Sequence, residues 1–162
     1  MKHTLASLVI GLSLLMGTAS ASAQDFQKGF AAANAGDFAT ALKEWRSLAE
    51  QGHTKPQFDL GVKYDYGLGV VQDHKEAAKW YRLAAEQGHT RAQYGLGAMY
   101  ISGQDVIQEY MMAHMWFNIA ASGGNANAAK HRDILAKRMT AADISKAQQL
   151  ARECVAKNYK GC

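Results

Sequence analysis

The sequence predicts an all-α fold, a short α-solenoid of stacked helix pairs with a C-terminal helical cap. Three observations carry that expectation. The first is a period of 36 residues: Glu50-Gln51-Gly52-His53-Thr54 recurs unchanged as Glu86-Gln87-Gly88-His89-Thr90, Leu60-Gly61 returns as Leu96-Gly97, and Tyr64 as Tyr100. Ala41, Ala77 and Ala113 share that phase, as do Trp45, Tyr81 and Phe117. A fixed period of about 20–50 residues marks a stack of small units, none of which buries its apolar stripe alone. The second is apolar spacing of three and four, as in Ala77, Trp80, Tyr81, Ala84 and Ala85, which makes one helix face apolar. The third is composition: 15 Gly but one Pro. Loops use both residues, whereas helix ends and close helix contacts use Gly alone.

Residues 1–23 read as a cleavable leader. Lys2 supplies the positive start, Leu5 to Met16 the apolar run, and Ala21-Ser22-Ala23 the small residues before cleavage. A run of about 12 residues is shorter than the roughly 20 that a membrane span needs. An uncleaved anchor is the rival reading, and no Cys stands at the cleavage point to carry a lipid. The mature chain then begins at Gln24, outside the cytoplasm, in the periplasm or secreted, with no transmembrane segment.

The units follow in order. Residues 24–54 form the first, with Gly29, Gly36-Asp37-Phe38, Ala41-Leu42 and Trp45. In residues 55–90, a helix carrying Leu60, Gly61 and Tyr64 ends at Gly67. Leu68 to Gln72 connects, Asp73 caps, and a second helix runs to Gly88. Residues 91–126 repeat the pattern. Glycines 52, 67, 88 and 103 suit positive φ at helix ends. Residues 127–162 leave the pattern and read as two capping helices, 130–139 and 143–157, separated by Thr140. Thr140 and Asp143 approximate a capping box. Arg132, Asp133, Lys137, Arg138, Lys146 and Arg152 give the pair a polar outer face. Such a face covers the open end of a solenoid.

The motif Leu-Gly-x-x-Tyr-x-x-Gly-x-Gly-Val, then Asp, then Lys-x-Ala-x-x-Trp-Tyr-x-x-Ala-Ala and Gly runs through residues 56–88, with Pro56 where Ala is usual. Residues 92–123 follow it at Ala92, Leu96, Gly97, Tyr100, Gly103, Trp116, Phe117, Ala120 and Ala121, with Asp105 in place of the second connector glycine. This arrangement resembles the Sel-one-like repeat family, a branch of the tetratricopeptide-like solenoids, and the first unit is similar to a plain tetratricopeptide repeat. The resemblance implies a right-handed solenoid whose first helices line a concave surface. It names no chemistry.

Composition excludes several classes. At 48% hydrophobic and 20% charged the chain is no disordered tail. Its net charge of +4 is spread without runs, which gives no case for nucleic acid. The only cysteines, Cys154 and Cys162, lie eight positions apart at the end, and an exported chain oxidises such a pair to one local disulfide. A catalytic redox pair is the alternative, without the C-x-x-C spacing.

Catalytic and cofactor motifs are wanting: there is no H-E-x-x-H, no G-x-S-x-G, and the glycines at 67 and 69 lack a third and follow a helix. Neither an enzyme nor a cofactor is expected. His53 and His89 recur with their turn. Met111, His114 and Met115 share a helix face beside Met112, a soft donor set for copper(I) in an exported protein. Met as ordinary filler competes with that reading, and the in-phase residues Lys75, Ala78 and Lys79 predict a partly exposed face.

Aligning the first helices on their glycines puts Phe26, Phe58 and Tyr94 in one column and Phe30, Val62 and Ala98 in another. Lys55 and Arg91 form a third, and Lys130 of the cap adds charge near the end of the aromatic column. Two roles stay open for them: an apolar-aromatic groove with a basic edge for an extended acidic segment, or packing between helices beside a solvated edge. The sequence therefore predicts an exported, non-catalytic interaction module or adaptor with a protein or peptide partner. A binding protein for cell-wall fragments or metal is one rival, and a small cell-envelope enzyme the other.

Overall fold

The computed structural model describes residues 13–102 and 109–162, with side chains from Gln24 onward. Its helices are α1 Ser13–Asn34, α2 Phe38–Glu50, α3 Thr54–Tyr66, α4 His74–Ala85, α5 Thr90–Ser102, α6 Tyr110–Ser122, α7 Ala126–Ala136 and α8 Ala141–Ala156. Among the described residues there is no strand, and no helix is long and apolar enough to cross a membrane. The described part of α1 continues through the Ala23–Gln24 junction, while residues 1–12 of the expected leader lie outside the described residues.

Helix ends follow the local chemistry that the sequence announces. Asp73, in extended backbone, accepts from the Lys75 and Glu76 N–H groups and starts α4. Gly67, at φ 66°, ends α3 in the left-handed conformation that costs other residues a Cβ clash. Pro56 sits in the first turn of α3, where a helix leaves its N–H groups unpaired in any case. Gly103 and Asp105 fall outside the described residues.

Each unit is an antiparallel pair, α1–α2, α3–α4 and α5–α6, and each second helix packs on the next unit's first helix. Small residues set how closely the pairs approach. A Cβ at Gly61 would stand 2.5 Å from the Tyr81 ring, one at Gly97 2.8 Å from Phe117, and one at Gly29 2.7 Å from Trp45. These three rings share the 36-residue phase, but Gly29 lies four positions off it. The connector explains that offset: α1 and α2 are joined by residues 35–37, whereas α3 and α4 are joined by 67–73.

Two in-phase polar contacts cross the boundaries between α2 and α3 and between α4 and α5, and the sequence reading names neither. Gln57 and Gln93 are buried, and their side-chain amides donate to the carbonyls of Ala49 and Ala85 at 3.0 and 3.3 Å. Arg46 donates to the Tyr64 hydroxyl, and Arg82 to that of Tyr100. The sequence signal was present, since all four pairs keep the period. Polar residues at helical spacing simply read as surface.

The cap differs from expectation in two ways. Its first helix starts at Ala126 rather than residue 130, because Asn125 accepts from the Ala128 N–H and initiates the turn earlier. The two cap helices also do not form a pair: α7 and α8 each pack on α6. Thr140 does separate them, accepting from the Asp143 N–H while its hydroxyl donates to the Asp143 carboxylate. Cys154 and Cys162 are joined in a disulfide with Cα atoms 5.6 Å apart. The loop it closes lays Tyr159 over Gly88, where a Cβ would meet the ring at 3.3 Å.

Candidate binding groove

The exposed side of α3 and α5, with the start of α7, is hollowed by a cavity of about 600 Å³. Phe58, Val62, Tyr81, Tyr94 and Ala98 supply its apolar lining, and Arg91 and Asp65 its charges. Phe58 and Tyr94 reach it from the same helical position because both stand three residues before their notch glycine. Each ring is half-buried. Phe58 stacks on His89 at 4.5 Å and tilts against Tyr81 at 5.9 Å, while Tyr94 packs on Phe117 and His131 at 5.6 and 5.5 Å. Packing and groove lining, which the sequence left as alternatives, are therefore combined in the same side chains.

The basic column divides. Lys55 places its ammonium 3.0 Å from the Asp59 carboxylate and 4.3 Å from the Phe26 ring centroid. Phe26 and Phe30 stand with Lys55 at a separate hollow of about 250 Å³. Arg91 lines the main cavity, whereas Lys130 is exposed on α7 and does not. Phe58, Arg91, Tyr94, Val62 and Ala98 thus meet in one place, while Phe26 and Lys130 lie apart from it and Lys55 shares an adjoining hollow of about 480 Å³ with Phe58, Asp59 and Arg91.

Two further residues shape this face. Asp65, at the C-terminal end of α3, accepts from the Tyr81 hydroxyl at 3.2 Å and lies 3.3 Å from His74. Burial, with the Asp65 charge, holds the Tyr81 phenol far above its ordinary range, so it stays a donor. His89 accepts from the Ala92 N–H at 3.2 Å and so caps α5. Burial, with the charges of Arg91 and Lys55, pushes its imidazole below the usual value despite Asp59 nearby.

The methionine–histidine cluster is a correction. His114 and Met115 are buried in the core rather than partly exposed, because α8 also packs on α6 and covers a face that earlier units leave to lysines. Burial, then the Arg132 charge, pushes His114 below its ordinary value. Met111 and Met112 instead line a cavity of about 350 Å³ with Met139, away from His114. Among the described residues no three His, Cys, Asp or Glu side chains are grouped to hold a metal ion.

The Sel1 repeat family matches residues 57–89 and 90–125. The chain carries Sel1 repeats. Among solved structures, a protective antigen present in uropathogenic Escherichia coli strains and displaying an SLR fold superposes with a TM-score of 0.77 at 29% identity, over 85% of this chain and 31% of that one. A Sel1 repeat protein from Oxalobacter formigenes superposes with a TM-score of 0.64 at 31% identity, over 70% of this chain and 48% of that one. The chain spans about a third of the first relative's length and about half of the second's. No curated protein matches the sequence. The two matched Sel1 repeats are α3–α4 and α5–α6, so the cavity lies between the first helices of adjacent Sel1 repeats.

Proposed function

We propose that this protein is an exported, non-catalytic adaptor that holds a protein partner on the face formed by α3, α5 and the start of α7. Sel1 repeats generally serve as protein-interaction modules. The observation that carries the reading is the cavity of about 600 Å³, where half-buried aromatic rings stand beside a guanidinium. Aromatic and Arg side chains supply most anchoring energy at protein interfaces. Export is supported by the leader-like residues 1–23 and by the disulfide, which persists in oxidising compartments.

In-cell photo-crosslinking tests both parts. With a benzophenone side chain at position 94, one defined partner should be captured from the periplasmic or secreted fraction. The same group in place of exposed Lys146 on α8 should capture none, and the recovered chain should begin at Gln24. Equal capture from both positions would overturn the interaction face, and an uncleaved cytosolic chain would overturn export.

A further inference from the structure

We infer that the cavity between α3 and α5 receives an extended peptide whose Asp or Glu carboxylate pairs with Arg91 while a nearby large apolar side chain lies against Phe58 and Tyr94. This deepens the adaptor reading and rests on it. The reason is a substitution between two otherwise matching positions. Lys55 finds its carboxylate four residues on, in Asp59 at 3.0 Å. Arg91 is the same position one period later, and four residues on from it stands Gly95. Among the described residues no carboxylate lies within ion-pairing distance of Arg91.

Gly95 also keeps the floor open, since a Cβ there would stand 3.1 Å from the Tyr81 ring. The Lys55–Asp59 pair and Arg91 border a common hollow of about 480 Å³, and on its other side Arg91 opens on the cavity of about 600 Å³, which Asp59 does not line. The unit of residues 91–126 thus keeps the cation and the aromatic ring and omits the internal anion. A ligand carboxylate restores the missing half, and a guanidinium binds it through two parallel N–H donors.

Charge fixes the direction. Asp65 closes the far end of the groove, with its oxygens already facing Tyr81 and His74, so a ligand carboxylate is repelled there and drawn to Arg91. The ten helical steps from Lys55, the counterpart of Arg91, to Asp65 span about 15 Å. That length admits roughly four or five residues of extended chain. In such a chain alternate side chains share a face, which places an acid and an apolar residue two apart.

The probe is a fluorescein-labelled peptide of sequence Ser-Glu-Ser-Phe-Ser, blocked at both ends and titrated by anisotropy against the full-length protein. Saturable binding is expected, weakened at least tenfold by Arg91→Gln and by replacing the peptide's Glu with Gln. Gly95→Asp should weaken it similarly by supplying Arg91 with an internal partner, while Asp59→Asn should not. Circular dichroism confirms that each variant keeps its helices, and Arg91→Gln carries the test if Gly95→Asp loses them. No binding up to about 1 mM, equal affinity for the Glu and Gln peptides, or indifference to Arg91→Gln overturns the inference. Tighter binding of a muramyl stem peptide than of this probe also overturns it, in favour of a cell-wall ligand. Partner crosslinks from position 94 without probe binding defeat the acidic-peptide inference alone, and loss of both defeats the adaptor reading too.

Discussion

At the scale of single residues, Gly29, Gly61 and Gly97 face aromatic rings so closely that a Cβ has no room. At Gly97 an added Cβ would meet a backbone atom as well as a ring, with both Cδ1 and Cε1 of Phe117 at 2.8 Å and the Ala113 carbonyl oxygen at 3.3 Å. Gly97→Ala gains up to about 1 kcal/mol of helix propensity, but overpacking a filled core costs about 1–3 kcal/mol. Net destabilisation is therefore expected in urea unfolding, and Phe117→Leu in the same chain should recover part of it. An unchanged or raised midpoint would show that α5 and α6 separate at no cost. This notch was legible in the sequence because Gly61 and Gly97 keep phase with Tyr81 and Phe117. The Lys55–Asp59 contrast was not, since position 95 carries meaning only once a cavity is seen to open beside it.

Among elements, α5 has an unusual start. His89 must be neutral at Nδ1 to accept from Ala92, and its folded-state value lies below the ordinary 6.5. A lowered value means the neutral form is favoured by folding, so its contribution is complete above about pH 6.5 and lost as the pH falls through the folded value. Asp59 opposes that shift, Arg91 and Lys55 reinforce it, and buried His114 adds a second contribution of the same sign. Thermal midpoints should therefore drop on acidification below about pH 6.5, and His89→Gln should flatten part of that drop. A wild-type profile level to pH 5 would contradict this linkage. The helices themselves were readable from Asp73, Gly67, Thr140 and the alternating three-and-four spacing. The early start of α7 was missed because Ala126, Ala128 and Ala129 show no polar–apolar contrast. The separation of α7 from α8 was missed because spacing within a helix says nothing about its neighbour.

Across the whole molecule, the repeated contacts make the units interchangeable. Removing residues 55–90 joins Thr54 to Arg91 and lets Gln93, Leu96 and Tyr100 take the places of Gln57, Leu60 and Tyr64 beside α2. The shortened chain should unfold cooperatively with a lower midpoint and a smaller denaturant slope. Removing only residues 55–72 breaks the phase and should abolish the transition, and equal behaviour of the two deletions would refute the stacking scheme. One feature departs from strict nearest-neighbour stacking. The last unit of a solenoid has one neighbour and is ordinarily the first to fray, yet here the cystine loop reaches back to lay Tyr159 on Gly88, just ahead of α5. The loose end is then the N-terminal one, where Phe30 and Phe38 are half exposed. Opening is therefore expected to proceed from α1 and α2 inward, so that a peptide of the kind proposed between α3 and α5 would be held from the anchored side.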